Sequence, residues 1–297
     1  MIWSDRIREL TETRARHPDR IAELWEARHS RSRLPPDGRL LIVAADHPAR
    51  GALGVRGSAT AMADRIDFLG RLVSALRRPG VDGVLASADI LEDLLLLGLL
   101  DERLVIGSMN RAGLQGSCFE LDDRITGYTP EVIDRFRLDG GKVLVRIDLD
   151  DPATAPTLEA AGAAITALAQ AGRMAVVETF LSFRGHDGRV TNLLDPESVI
   201  RSIHIASGLG ATSAHTWLKL PVVEEMTRVL QATTLPTLLL GGDPTDEPER
   251  TRASWAEALA CPAARGLIVG RALLYPSDGE VAAAVDAAVR LVHGGSR

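Results

Sequence analysis

Eight short apolar runs, each ending in polar residues or glycine and each followed by a helical stretch, predict an α/β fold: a single (β/α)₈ TIM barrel with an N-terminal helical extension. The runs lack a polar face, as strands covered on both sides of a parallel sheet must. Eight strand–helix units in roughly 255 residues match one barrel, which typically takes about 250. Strand count alone does not close a sheet, so a doubly wound open sheet is the alternative architecture. No internal repeat, low-complexity segment or linker divides the chain, so the expected units are the extension at 1–38 and the barrel at 39–297.

The extension carries Ile7, Leu10, Ile21, Leu24 and Trp25 in a helical pattern over 1–33, and Pro18 opens a second helix. Pro35, Pro36, Asp37 and Gly38 make a turn. Strands follow at 39–47, 83–87, 104–110, 141–148, 174–180, 216–220, 236–243 and 266–271. Helices are expected at about 60–78, 89–100, 129–138, 153–172, 196–209, 222–232, 249–260 and 279–293. A barrel carries its active site at the C-terminal strand ends. Those ends hold Asp46, His47, Ser87, Asn110, Arg146, Asp148, Glu178, Lys219, Gly241–Gly242–Asp243 and Gly270–Arg271.

Composition narrows the function classes. The 297 residues hold 34 Lys+Arg against 40 Asp+Glu, a net charge of −6, which argues against a nucleic-acid partner. At 45% hydrophobic the chain is too apolar to be disordered. Its longest apolar run, Leu94–Leu100, is too short to cross a bilayer, so no membrane partner is expected. The charged N-terminus has no apolar segment of the kind a secretory signal needs. Cys118 and Cys261 give neither a disulfide framework nor metal spacing, so a reducing, cytoplasmic setting is expected.

Among the 34 basic residues only Lys142 and Lys219 are lysines. A lysine retained in an arginine-rich chain suits a role that needs an amine able to lose its proton, which guanidinium cannot do. The plain alternative is chance survival at packed sites. Both lysines fall on predicted strands, the fourth and the sixth. In TWLKLP, period-2 alternation puts Trp217 and Lys219 on one face and Leu218 and Leu220 on the other. The leucines suit the helix-facing side, so Lys219 points inward near the barrel top. Bringing such an amine from about 10.4 to about 7 corresponds to roughly 4.6 kcal/mol. A neutral amine attacks carbonyls to form a Schiff base. The competing reading is a lysine paired to an internal carboxylate.

On the fourth strand Lys142, Leu144, Arg146 and Asp148 share a face. If that face is the lumen, a second cation there depresses the Lys219 amine and Asp148 balances the charge. Six residues separate Lys142 from the strand end, so the equal alternative is a lysine reaching out of the barrel bottom. Glu178, flanked by Val177 and Phe180, is costly unless paired or used; with Asp46 it is a candidate acid/base. Gly241, Gly242, Gly270 and Arg271 end the seventh and eighth strands, where barrels often hold phosphate. His47 and Arg146 are further substrate-binding candidates. The glycine-rich, basic segment Ser182–Val190 is either a loop that closes over substrate or a simple connection. Of seven histidines only His47, His186 and His215 fall near strand ends, and no HxH or HExxH pair exists, so neither metal nor another cofactor is expected.

Taken together, DHP at Asp46–Pro48, KVLVRIDLDD, the glutamate of VVETF, the lysine of WLKLP, GGD and VGRALLYP resemble the class I aldolase superfamily that includes deoxyribose-phosphate and tagatose-bisphosphate aldolases. The resemblance covers most of the chain after residue 38. It implies Lys219 as the Schiff-base lysine, Glu178 as an acid/base, and Lys142 and Asp148 as the strand-four pair. His47 is followed by Pro48 where the fructose-bisphosphate branch has glycine. Lys219 is followed by Leu220–Pro221 where deoxyribose-phosphate aldolases have a Ser/Thr–Gly pattern. The chain looks closest to aldolase-like barrels found with inositol-catabolism enzymes. That likeness implies a phosphorylated keto-sugar acid as substrate, such as 5-dehydro-2-deoxygluconate 6-phosphate, cleaved to dihydroxyacetone phosphate and malonate semialdehyde. The expected protein is thus a metal-independent aldehyde-lyase of carbohydrate metabolism, with a phosphorylated small-molecule substrate and a homo-oligomeric state. The alternatives are a metal-dependent lyase or isomerase using His47, Glu178 and His215, and a non-catalytic sugar-phosphate-binding barrel.

Overall fold

The computed structural model describes residues 3–30, 34–111, 113–242, 244 and 247–294. All eight predicted runs are strands: β1 (Leu40–Ala44), β2 (Gly83–Ala86), β3 (Leu104–Ser108), β4 (Gly140–Ile147), β5 (Met174–Arg184), then, past a short β6 (Val190–Asn192), β7 (Thr216–Pro221), β8 (Thr237–Leu240) and β9 (Ala264–Val269). The order β4-β3-β2-β1-β9-β8-β7-β5 is parallel throughout, and pairing of β4 with β5 closes it into a barrel. The open-sheet alternative is thereby excluded. Helices α1 (Trp3–Arg16) and α2 (Asp19–Ala27) precede the barrel. Between and after its strands run α3 (Arg65–Leu76), α4 (Ala88–Leu96), α5 (Pro130–Arg135), α6 (Thr154–Gln170), α7 (Pro196–Ser207), α8 (Met226–Leu230), α9 (Pro248–Leu259), a single turn α10 (Arg271–Leu274) and α11 (Val281–His293). Side-chain caps start several of them: Asp64 accepts from Ile66 and Asp67 N–H, and Asp195 from Ser198 N–H.

Strand alternation sorts the core into two. Leu41, Val43, Val84, Leu218 and Leu220 face the helices. Leu40, Ile42, Leu85, Leu104, Ile106, Val176, Leu238 and Ile268 fill the barrel interior as a separate apolar cluster. This inner plug is a dry floor. Any polar side chain on the next layer up loses water on its lower side.

Register decides which residues share that layer. β4 starts high: Gly140 pairs with Ile106, and Lys142 with Ser108, the last residue of β3. The stagger that a closed barrel requires thus lifts Lys142 to the top layer although it stands near the start of its own strand. Glu178 pairs with Leu144 on one side and Lys219 on the other. β5 runs past the barrel and turns back through Gly185–Arg189 into antiparallel β6. The segment expected as a loop is therefore largely a hairpin. Its backbone pairing replaces the free loop, because Phe183 and Thr191 extend an existing strand.

The extension docks on the outer helices. Arg14 Nη1 meets Asp93 Oδ1 at 2.6 Å, and Trp25 stacks on Phe136 at 5.8 Å between centroids. At the N-terminal end of the barrel His293 ties the last helix to the strand starts. Its Nδ1 lies 2.6 Å from Asp37 Oδ2 and its Nε2 3.0 Å from Asp82 Oδ2. Asp82 raises the His293 pKa most; burial opposes this and Asp37 reinforces it, and the net result is about 9 against 6.5. A raised folded value stabilises fully below the unfolded one and is lost as pH rises through it. The melting temperature of the protein is therefore expected to fall between pH 6.5 and about 9. His293→Gln should be less stable at pH 6 and should lose this slope. An unchanged slope in thermal melts across that range would refute the assignment.

Candidate active site

Five charged groups from five places in the chain meet at the barrel top. Glu178 on β5 is the centre: Lys219 Nζ on β7 lies 3.1 Å from its Oε1, and Lys142 Nζ on β4 contacts its Oε2. Lys142 Nζ also lies 3.3 Å from Oδ2 of Asp46, which follows β1. The same Asp46 oxygen meets Arg111 Nη2 and accepts from Ser108 Oγ at 3.3 Å, while Arg111 Nε donates to Ser108 Oγ at 3.2 Å. Three cations thus face two carboxylates on a dry floor.

Access differs among them. Above the cluster opens a cavity of about 1220 Å³ at the C-terminal strand ends. Lys219, Glu178 and Arg111 line it; Lys142 and Asp46, each 0% exposed, do not. The parity argument for Lys219 holds: Leu218 and Leu220 face the helices, and Lys219 lines the cavity. Of the two readings of Lys142, the lumenal one is right.

Burial lowers the Lys219 amine below its ordinary 10.5; Glu178 opposes this and Arg111 adds to it. Burial and then Arg111 press Lys142 well below the usual lysine range. Burial alone would raise Glu178, but Lys142, Lys219 and Arg111 outweigh it and hold the carboxyl well below its ordinary range. Burial, helped by Arg271 and Lys219, pushes His47 down to about 3, so its imidazole is neutral at the cavity wall.

Gly241, Gly242, Gly270 and Arg271 all line the same cavity. Gly242 has φ +64°, and a Cβ on Gly270 would stand 2.3 Å from the Ala44 carbonyl oxygen. Glycine is required at both, the first for its backbone angle and the second for close packing of β9 against the end of β1. Asp243 lies outside the described residues.

Several expected site residues have other work. Arg146 borders the cavity, yet its guanidinium is held by Asp123 at 2.9 Å through both Nε and Nη2, and by Glu120 Oε1 at 3.2 Å. Arg50 adds a 3.5 Å contact to Glu120. Arg146 therefore clamps the long segment after β3. Asp148 does not join the cluster or line the cavity: its Oδ2 accepts from Arg184 N at 3.0 Å and its Oδ1 from Asp150 N at 3.1 Å, which anchors the hairpin. Asn110 bonds Leu144 N and O at 2.7 and 2.6 Å, extending the β3–β4 pairing with a side chain. Ser87 Oγ bonds Asp89 at the start of α4. His186 is exposed at the hairpin tip. His215 precedes β7 and is exposed at the opposite end of the barrel from His47 and Glu178, so those three make no metal site. Among the described residues no group of three or more His, Cys, Asp or Glu is placed to hold a metal ion, and no helix is long and apolar enough to cross a membrane.

Sequence reasoning missed Arg111, Glu120 and Asp123. Arg111 directly follows the Asn110 strand end, and that adjacency was the available signal.

The match that decides the family spans residues 38–289. The chain belongs to the Cgl0159-like family. The crystal structure of Cgl0159 from Corynebacterium glutamicum is 53% identical over 97% of each chain, with a TM-score of 0.95. An archaeal fructose 1,6-bisphosphate aldolase is 18% identical, with a TM-score of 0.63, over 93% of this chain and 100% of its own. A Schiff-base-forming fructose-1,6-bisphosphate aldolase is 20% identical, TM-score 0.63, over 92% and 99%. The last two are likenesses of fold alone, that of a (β/α)₈ barrel. No curated protein matches the chain at a significant level.

Proposed function

We propose that the protein is a class I aldolase that cleaves or forms a C–C bond in a phosphorylated keto sugar or sugar acid through a Schiff base on Lys219. One observation carries this: of two buried lysines sharing a carboxylate, Lys219 is the one that lines the cavity. The fold likeness to aldolases supports the reading.

In the proposed reaction the unprotonated Lys219 Nζ bonds to the ketone carbon, and the carbonyl oxygen takes one proton from that nitrogen and a second from the medium and leaves as water, giving the protonated imine. The resulting iminium is an electron sink. Glu178 accepts the proton of the hydroxyl on the carbon β to the iminium carbon, the bond between the α and β carbons breaks, and its electron pair passes into the iminium to give an enamine and a free aldehyde. Protonation of the enamine carbon and addition of water return the ketone and the amine. Asp46 is enclosed, so Glu178 is the carboxylate assigned to the substrate. The neutral His47 and the Gly241, Gly242, Gly270 and Arg271 rim are assigned to the substrate and its phosphate, in the place where barrels hold such groups. The choice of 5-dehydro-2-deoxygluconate 6-phosphate, and with it a place in inositol catabolism, rests on the sequence resemblance.

The test is reduction with sodium borohydride in the presence of dihydroxyacetone phosphate and a panel of keto-sugar phosphates. A mass increase on the Lys219 peptide is expected. No adduct at any pH between 6 and 10 would remove the mechanism, and tight binding without adduct or turnover would favour the non-catalytic barrel.

A further inference from the structure

Arg111 has no part in the scheme above, yet it is the third cation of the cluster. We propose that Arg111 is a positioning residue whose guanidinium shares Asp46 with Lys142, so that three cationic groups face only two carboxylates and one amine is left without a counter-charge. This rests on the aldolase reading and deepens it.

The argument is a charge inventory. Without Arg111, Lys142 and Lys219 would face Glu178 and Asp46, two amines against two carboxylates, and both would stay protonated as a balanced network. Arg111 remains a cation even though burial pushes it down to about 10. It sits on the Asp46 oxygen that also faces Lys142, and Ser108 Oγ accepts from its Nε, which fixes its plane. Three basic groups then face two carboxylates above an apolar floor, and one of the amines must be neutral. Glu178 touches both nitrogens, so a proton can pass through it from Lys219 to Lys142. When Lys142 holds the proton, the amine of Lys219, the lysine that lines the cavity, is nucleophilic. The groups facing these amines are Asp46 and His47 after β1, Arg111 after β3, Glu178 on β5 and Arg271 after β9. Only Asp46 and Glu178 among them are anions.

The pH dependence of borohydride-trapped adduct with dihydroxyacetone phosphate separates this role from a structural one. Arg111→Gln leaves Asp46 to Lys142 alone and should move the midpoint of trapping up by about one unit, roughly tenfold less adduct below the midpoint. Asp46→Asn should move it down. The double variant D46N/R111Q, which leaves no charge unpaired, should return close to the wild-type midpoint. An unshifted R111Q, an upward shift in D46N, or a double variant that behaves like R111Q overturns the proposal. Failure of the wild-type protein to trap at all sinks the aldolase reading instead, so the two failures are distinct.

Discussion

Lys219→Met is expected to abolish adduct formation and to lower kcat/KM by about 10⁴-fold or more, the scale on which loss of a covalent nucleophile acts in other enzymes. The loss should not be a folding defect. Removing one of three cations leaves Glu178 in contact with Lys142 and Asp46 in contact with Arg111. No carboxylate becomes an uncompensated buried charge, so the thermal midpoint should stay within a few degrees of wild type or rise. Lys219→Arg keeps the charge but cannot supply a neutral nitrogen, and should be equally inactive. Activity retained in K219M or K219R would eliminate the Schiff-base route and return attention to a chemistry that uses the same cavity without a covalent lysine. Steady-state kinetics paired with intact-mass measurements settles the point.

The other large effect is expected at Arg146, where the sequence suggested substrate binding and the structure assigns support. Arg146→Met leaves Asp123, 0% exposed, without its main partner and takes one of two arginines from Glu120. Breaking a buried pair from one side costs about 3–5 kcal/mol. For a chain of this size that corresponds to a fall in melting temperature of roughly 5–15 °C. The damage should centre on the segment after β3, which includes Arg111, so adduct formation should weaken as well. A variant that melts like wild type and shows only a raised KM would reinstate the binding role.

The distance between expectation and structure differs from residue to residue for physical reasons. Lys219 was legible because parity within one strand is local: Leu218 and Leu220 reveal the outer face, and the closed barrel leaves only the lumen for the other. Lys142 was ambiguous because its height depends on the stagger between neighbouring strands, and pairing with Ser108 is information that strand β4 does not contain. Asp148 shares the parity of Lys142 but stands beyond the barrel, where the hairpin backbone claims it. Arg111 was overlooked because its partner, Asp46, is 65 positions away in sequence (111 − 46) and follows a different strand.

From the amino-acid order alone came the alternation of strands and helices, the inward face of the strand that carries Lys219 and the singular status of two lysines, because these depend on neighbours one to four residues apart. Which groups share a carboxylate, which lysine lines the cavity and which arginine is consumed as a clamp were settled only when the barrel closed. Closure fixes the shear between strands, and the shear brings Asp46, Arg111, Lys142, Glu178 and Lys219 to a common height above an apolar floor.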